Sequence, residues 1–203
     1  MRIALPVAVL MFCATTSAFA ADAPTSQTVP APDLSTPLAA VTTYFQAIDR
    51  GDVATAEAAS IHDAKNEKFI EGVIAEDKAQ QKYRDAAVKK FGADQRLSGM
   101  GSCQLPIDLA KQGKVHENGD VAEIGEHGDF HCRKVDGNWH LDLVRQNADM
   151  KALDQTIKYL TESAKNYADF ANQVAAGNWK SLDEAEKART AAASTPPPPP
   201  DPH

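Results

Sequence analysis

Apolar positions recur at helical spacing through the first part of the chain, switch to alternation near its middle, and return to helical spacing later. Leu38, Val41, Phe45 and Ile48 mark one face of a first helix, which Thr36 is placed to cap and Pro37 to start. Gly51 ends it, and Asp52 caps a second helix with Val53, Ala56 and Ala59 along one side. A longer helix is predicted from about Asp63 to Phe91. Phe69, Val73 and Ile74 mark its first half and Tyr83, Ala87 and Phe91 its second; Lys89 and Lys90 occupy the last turn before Gly92.

Then the period changes. Cys103, Leu105, Ile107 and Leu109 alternate with other residues and read as a strand. Glu117 to Asp120 reads as a turn, and Val121–Glu126, Phe130–Val135 and Asn138–Val144 as short strands. Asp136-Gly137 is a two-residue hairpin signal, because both positions need positive φ. That turn pairs Val135 with Asn138, Lys134 with Trp139, Cys132 with Leu141 and Phe130 with Leu143. Side chains alternate faces along a strand, so Phe130, Cys132, Trp139, Leu141 and Leu143 are expected on the core side. His131, Arg133, His140 and Asp142 are expected on the solvated side. Helices followed by an antiparallel meander give an α+β fold.

After the meander, Met150, Leu153, Ile157, Leu160, Ala164, Tyr167, Ala171 and Val174 alternate three and four apart, a heptad seam. Two readings stay open: an association seam between molecules, with a homodimer as its simplest form, or a helix that packs on its own domain. Gly177-Asn178 then makes a corner that repeats the first one: Tyr44, Ile48, Gly51 and Asp52 match Phe170, Val174, Gly177 and Asn178 at a constant offset.

The ends carry different information. Arg2, the apolar run Ile3–Phe12 and Ala18-Phe19-Ala20 read as a secretory signal peptide over 1–20. Cys13 raises lipidation as an alternative, but Met11 and Phe12 are bulky where a lipobox takes small residues. Residues 21–36 read as a flexible linker and 193–203, with five consecutive prolines, as a disordered tail. Between them lie the α+β domain, 37–147, and a helical extension, 148–192. The expected location is periplasmic or secreted, with no membrane span after signal cleavage. Export permits a disulfide, and Cys103 and Cys132 are the expected pair. With 28 acidic and 21 basic residues and no basic cluster, nucleic acid is not an expected partner.

The segments YFQAIDRGDVATAEAA, VHENGDVAEIG and FHCRKVDGNWHLDLV, with a long helix between the first two, resemble the nuclear-transport-factor-2-like superfamily. The resemblance covers about Leu38 to Gln146. It rests on the Gly51-Asp52 corner and the Val135–Trp139 closing hairpin. It implies a curved sheet wrapped around helices, a cone with an apolar pocket. Its members include ketosteroid isomerase and scytalone dehydratase beside many non-catalytic proteins. The isomerase's catalytic residues have no match here, and fold alone does not fix function.

Candidate chemistry is sparse. His131 and His140 are diagonal neighbours with Asp142 nearby, but no zinc spacing is present and an open sheet face lacks a supporting shell. His116 and His127 sit at or near turns. No metal site and no cofactor are expected. Tyr44, His62, Tyr83 and Glu126 are the candidate pocket residues. The expected function is an exported, non-catalytic protein that binds a small apolar ligand or a protein partner. The alternative is a cofactor-free isomerase or dehydratase acting in the cone.

Overall fold

Thr36 accepts the Ala39 amide hydrogen and opens α1 (Pro37–Arg50). Gly51, left-handed at φ 66°, closes it, and Asp52 caps α2 (Val53–Ala58) through the Thr55 amide. The structure, a computed structural model, describes residues 31–126 and 128–193. The expected signal peptide, most of the linker, His127 and the proline tail lie outside the described residues. Asp33 and Leu34, at the end of the expected linker, are tied to the fold. The Asp33 carbonyl accepts from the Thr43 hydroxyl, and the Leu34 carbonyl accepts from the Trp139 amide.

The fold is α+β, with an open mixed sheet. Its strands are β1 (Ser60–Ile61), β2 (Val115–Asn118), β3 (Val121–Ile124), β4 (Phe130–Val135) and β5 (Asn138–Asp142), in the order β1-β5-β4-β3-β2. The hairpin turn is as expected: Asp136 and Gly137 both have positive φ, and Lys134 pairs with Trp139 and Cys132 with Leu141. β1 was not foreseen. It is two residues long and pairs parallel to β5, which gives it no sequence signature of its own.

Three local expectations are corrected. Cys103–Leu109 is not a strand: Cys103 precedes the helix α4 (Gln104–Gln112), which buries Ile107 and Ala110 and exposes Leu105 and Leu109. The residues 105, 107 and 109 satisfied an alternating pattern by coincidence; the buried pair is three apart, as a helix requires. Pro106 is tolerated because the amides of a first turn need no intrahelical acceptor. Leu143 does not pair with Phe130. Asp142 accepts the Arg145 amide hydrogen instead and caps a short helix, α5 (Leu143–Gln146). Asp142 is buried rather than on the solvated face, and Arg133 pairs with it at 3.1 Å.

Two helices dominate the remainder: α3 (Ala64–Phe91), about 42 Å long at 1.5 Å per residue, and α6 (Met150–Ala176). They run parallel. Lys65 reaches Asp154, Glu76 accepts from Ser163, and Lys82 donates to Asn172, a register that advances in the same direction along both. Leu153 and Leu160 are buried, and the Leu160 side chain lies over Gly72, where a Cβ would be 3.4 Å away. Leu153, Leu160 and Val174 of the heptad seam are thus buried within the chain itself, while Met150 stays exposed. α6 lies along α3 from its first turn, at Lys65, into its second half, at Lys82.

Two cores result. One joins α1, α2, the sheet, α4 and the first half of α3, around Ile48, Ile70, Ile124, Trp139 and Leu141. The other joins the second half of α3, the end of α6 and α7 (Leu182–Ala193), around Tyr83, Leu97, Phe170 and Val174. The repeated corner is real. Gly177 is left-handed at φ 83°, and Gly177 and Asn178 donate to Val174 and Gln173 as Gly51 and Asp52 donate to Ile48 and Ala47. That is the same helix-ending hydrogen-bond pair used twice.

Candidate functional site

An apolar recess opens between α1, α3 and the end of β5. Tyr44 and Phe45 line it from α1, Phe69 and Val73 from α3, and Leu141 and Leu143 from the sheet side, with Gln146 and Asn147 at its polar end. Helical spacing explains the α3 pair, since residues four apart share a face. Ring packing fixes the α1 pair. Phe45 meets Tyr44 edge-on at 5.2 Å and Phe130 edge-on at 5.7 Å. Asn147 donates to Asn66 at 2.7 Å, which joins α5's end to the first turn of α3. The recess measures about 100 Å³, well under the roughly 300 Å³ at which pockets for whole small molecules begin. It has room for one side chain or a short alkyl group.

Of the four sequence-predicted pocket residues, only Tyr44 is in the recess. Tyr83 is in the second core, where its hydroxyl donates to Glu186. His62 follows β1, with Nδ1 3.3 Å from the Ser60 carbonyl and Nε2 3.9 Å from Glu67. Glu126 is exposed in the loop after β3, beside a separate cleft of about 420 Å³ that also holds Lys114 and His116. The four candidates do not meet: residue type alone singles them out, and the topology sends them to separate regions.

The disulfide is also corrected. Cys103 and Cys132 are both buried free thiols. Cys132 lies against the Pro37 carbonyl at the start of α1, while the Cys103 amide donates to Asp49 near its end. The helix between those anchors is about 18 Å long, far beyond the roughly 7 Å limit between bridged Cα atoms. Burial raises both thiols, Cys132 to about 12, so neither is a ready nucleophile.

The histidine face has no metal geometry. His131 lies 3.5 Å from its cross-strand neighbour Glu123, His140 contacts the Ala58 carbonyl, and Asp142 is taken by Arg133 and the Arg145 amide. Among the described residues, the one cluster with ligand atoms close enough for an ion is Asp49, Asp77 and Cys103. It joins the end of α1, the middle of α3 and the start of α4. Asp77 is 8 % exposed. Burial first, and then the neighbouring Asp49, push its carboxyl up to about 6. Sequence reading missed it, although the signal was present: Ile70, Ile74 and Asp77 fall on one helical stripe, which places a carboxylate where an apolar residue is expected.

Among the described residues no helix is long and apolar enough to cross a membrane. No family model, no curated protein and no solved structure matches the chain, so its resemblance to nuclear-transport-factor-2-like proteins rests on the sequence motifs alone.

Proposed function

We propose that this is an exported, non-catalytic binding protein, of the nuclear-transport-factor-2-like type, whose recess accepts a small apolar group. The observation that carries this reading is the lining. Six aromatic and aliphatic side chains converge there, and the ionisable one, Tyr44, has its hydroxyl held protonated by burial. General acid–base chemistry needs two positioned proton-transfer groups facing one cavity; the recess has no such pair. The alternative, a cofactor-free isomerase or dehydratase, also needs a cavity that holds a whole substrate, and 100 Å³ does not. An apolar side chain of a partner protein, or the end of an alkyl chain, matches the volume.

The test is a nuclear magnetic resonance titration of isotope-labelled protein with butanol, hexanol, phenol and indole. Shifts should concentrate on Phe69, Val73 and Leu141, and should disappear in Val73→Phe, which fills the space. Shifts scattered over the surface, or unchanged in the filled variant, would defeat the reading.

A further inference from the structure

We propose that Asp49, Asp77 and Cys103 form a site for one thiophilic divalent cation, with Zn2+ the best match. Three separate segments bring two carboxylates and a thiol together, and their ligand atoms all lie within 4.8 Å of one another. Tetrahedral zinc, with bonds of roughly 2.0–2.3 Å to oxygen and sulfur, sets its ligands roughly 3.3–3.8 Å apart. The ligand atoms thus lie at most about 1–1.5 Å beyond that spacing, within reach of small side-chain rotations. Mixed carboxylate and thiolate donors suit zinc better than calcium or magnesium, which take oxygen alone.

The surroundings are built to hold the carboxylates in place. The Cys103 amide donates to Asp49 Oδ1 at 2.5 Å, and Gln81 Nε2 donates to Asp77 Oδ2 at 2.8 Å. Gly101 docks the Cys103 loop onto α3. Its φ is 62°, and a Cβ there would run into the Gln81 side chain and the backbone of Gln81 and Asp77. Such supporting hydrogen bonds are what orients ligands in a metal centre.

Two observations point to a cation as the ligand. Among the described residues, neither Asp49 nor Asp77 forms an ion pair. The nearby Arg84 is instead engaged by Asp85 and the Met100 carbonyl. Independently, the Tyr44 hydroxyl is buried without a hydrogen-bond partner, in a residue 2 % exposed, and the Cys103 side chain is the ionisable group that bears on it. An orphan donor near Cys103 is accounted for by a water completing the tetrahedron, which would accept its hydrogen. Binding replaces the thiol proton with a metal–sulfur bond and releases that proton to solvent.

The competing account is metal-free: one proton shared between the two carboxyl groups. The full chain, purified without an affinity tag, stripped with a chelator and kept reduced, is titrated with Co2+. The proposal expects a thiolate-to-cobalt charge-transfer band that saturates at one equivalent and is displaced by Zn2+. It expects the band to be lost in Cys103→Ser and kept in Cys132→Ser. Asp77→Asn should weaken binding by roughly 10- to 100-fold or more, since even supporting residues have effects of that size. Absence of the band in folded wild-type protein, or its survival in Cys103→Ser, overturns the proposal. The wild-type titration decides even if a variant fails to fold.

Discussion

The Tyr83 hydroxyl donates to Glu186 Oε1 at 2.7 Å, linking the middle of α3 to α7, 103 residues later in the chain. Arg189 completes the contact: it pairs with Glu186 at 2.9 Å and stacks over the Tyr167 ring at 4.6 Å. Three helices are thereby joined around one carboxylate. Hydrogen bonds to charged groups contribute about 1.5–3 kcal/mol, and Glu186 keeps some contact with water. Tyr83→Phe should therefore cost about 1–2 kcal/mol in urea unfolding. A loss under a few tenths would mean that α7 is held by apolar packing alone.

Leu160 separates the two fates of the heptad helix. Because it is buried against α3 rather than left for another molecule, Leu160→Asp should lower stability by about 3–5 kcal/mol, the range for opening a core and burying a charge. Light scattering should show the same oligomeric state before and after the change. A dimer that becomes a monomer of undiminished stability would return the seam to an intermolecular role.

Gly72 sets how closely α6 approaches. A Cβ there meets Leu160 at 3.4 Å, ordinary van der Waals contact. Gly72→Ala should be neutral or stabilising by about 0.5–1 kcal/mol through helix propensity. Gly72→Leu should destabilise by about 1–3 kcal/mol, the cost of overpacking. Thermal melts of the two variants check the contrast, and equal effects would refute it.

Asp77 gives the metal-free protein a pH dependence of definite sign. Desolvation and then Asp49 raise its carboxyl from 3.8 to about 6; Gln81 and Arg84 oppose the shift, and Glu76 adds to it. An acid whose folded pKa lies above its unfolded value contributes stability at low pH and loses it as pH rises through the folded value. In chelator, wild type should lose stability relative to Asp77→Asn between about pH 4 and 6. The comparison with the variant matters because Asp52, Asp63 and Asp94 shift the other way. A difference that stays flat, or grows in favour of wild type, contradicts the assignment.

Both thiols should be recovered alkylated under denaturing, non-reducing conditions and protected while the protein is folded, because each is buried and unpaired. Mass spectrometry after iodoacetamide reads this directly. A species resistant to alkylation until reduced would place a disulfide in the native protein.

The sequence by itself determined the features that depend on neighbouring residues. The Thr36 and Asp52 caps, the left-handed Gly51 and Gly177 endings, and the Asp136-Gly137 turn with its register all follow from short-range geometry. Alternation beyond the turn sorted the core face of β4 and β5 correctly up to Leu141. What only the tertiary structure decided depends on segments distant in sequence. The spacing of 103–109 fitted a strand as well as a helix, and burial of Ile107 and Ala110 decided between them. Two buried cysteines resembled a bridge until α1 held them apart. A heptad seam states that a partner surface exists, without stating which; the fold laid Leu153 and Leu160 along α3. Asp77 gave a faint sign on its apolar stripe, but Asp49 and Cys103 acquire meaning beside it only because α1, α3 and α4 meet there. Periodicity records what each residue does along its own element, while a site depends on which elements the chain folds against one another.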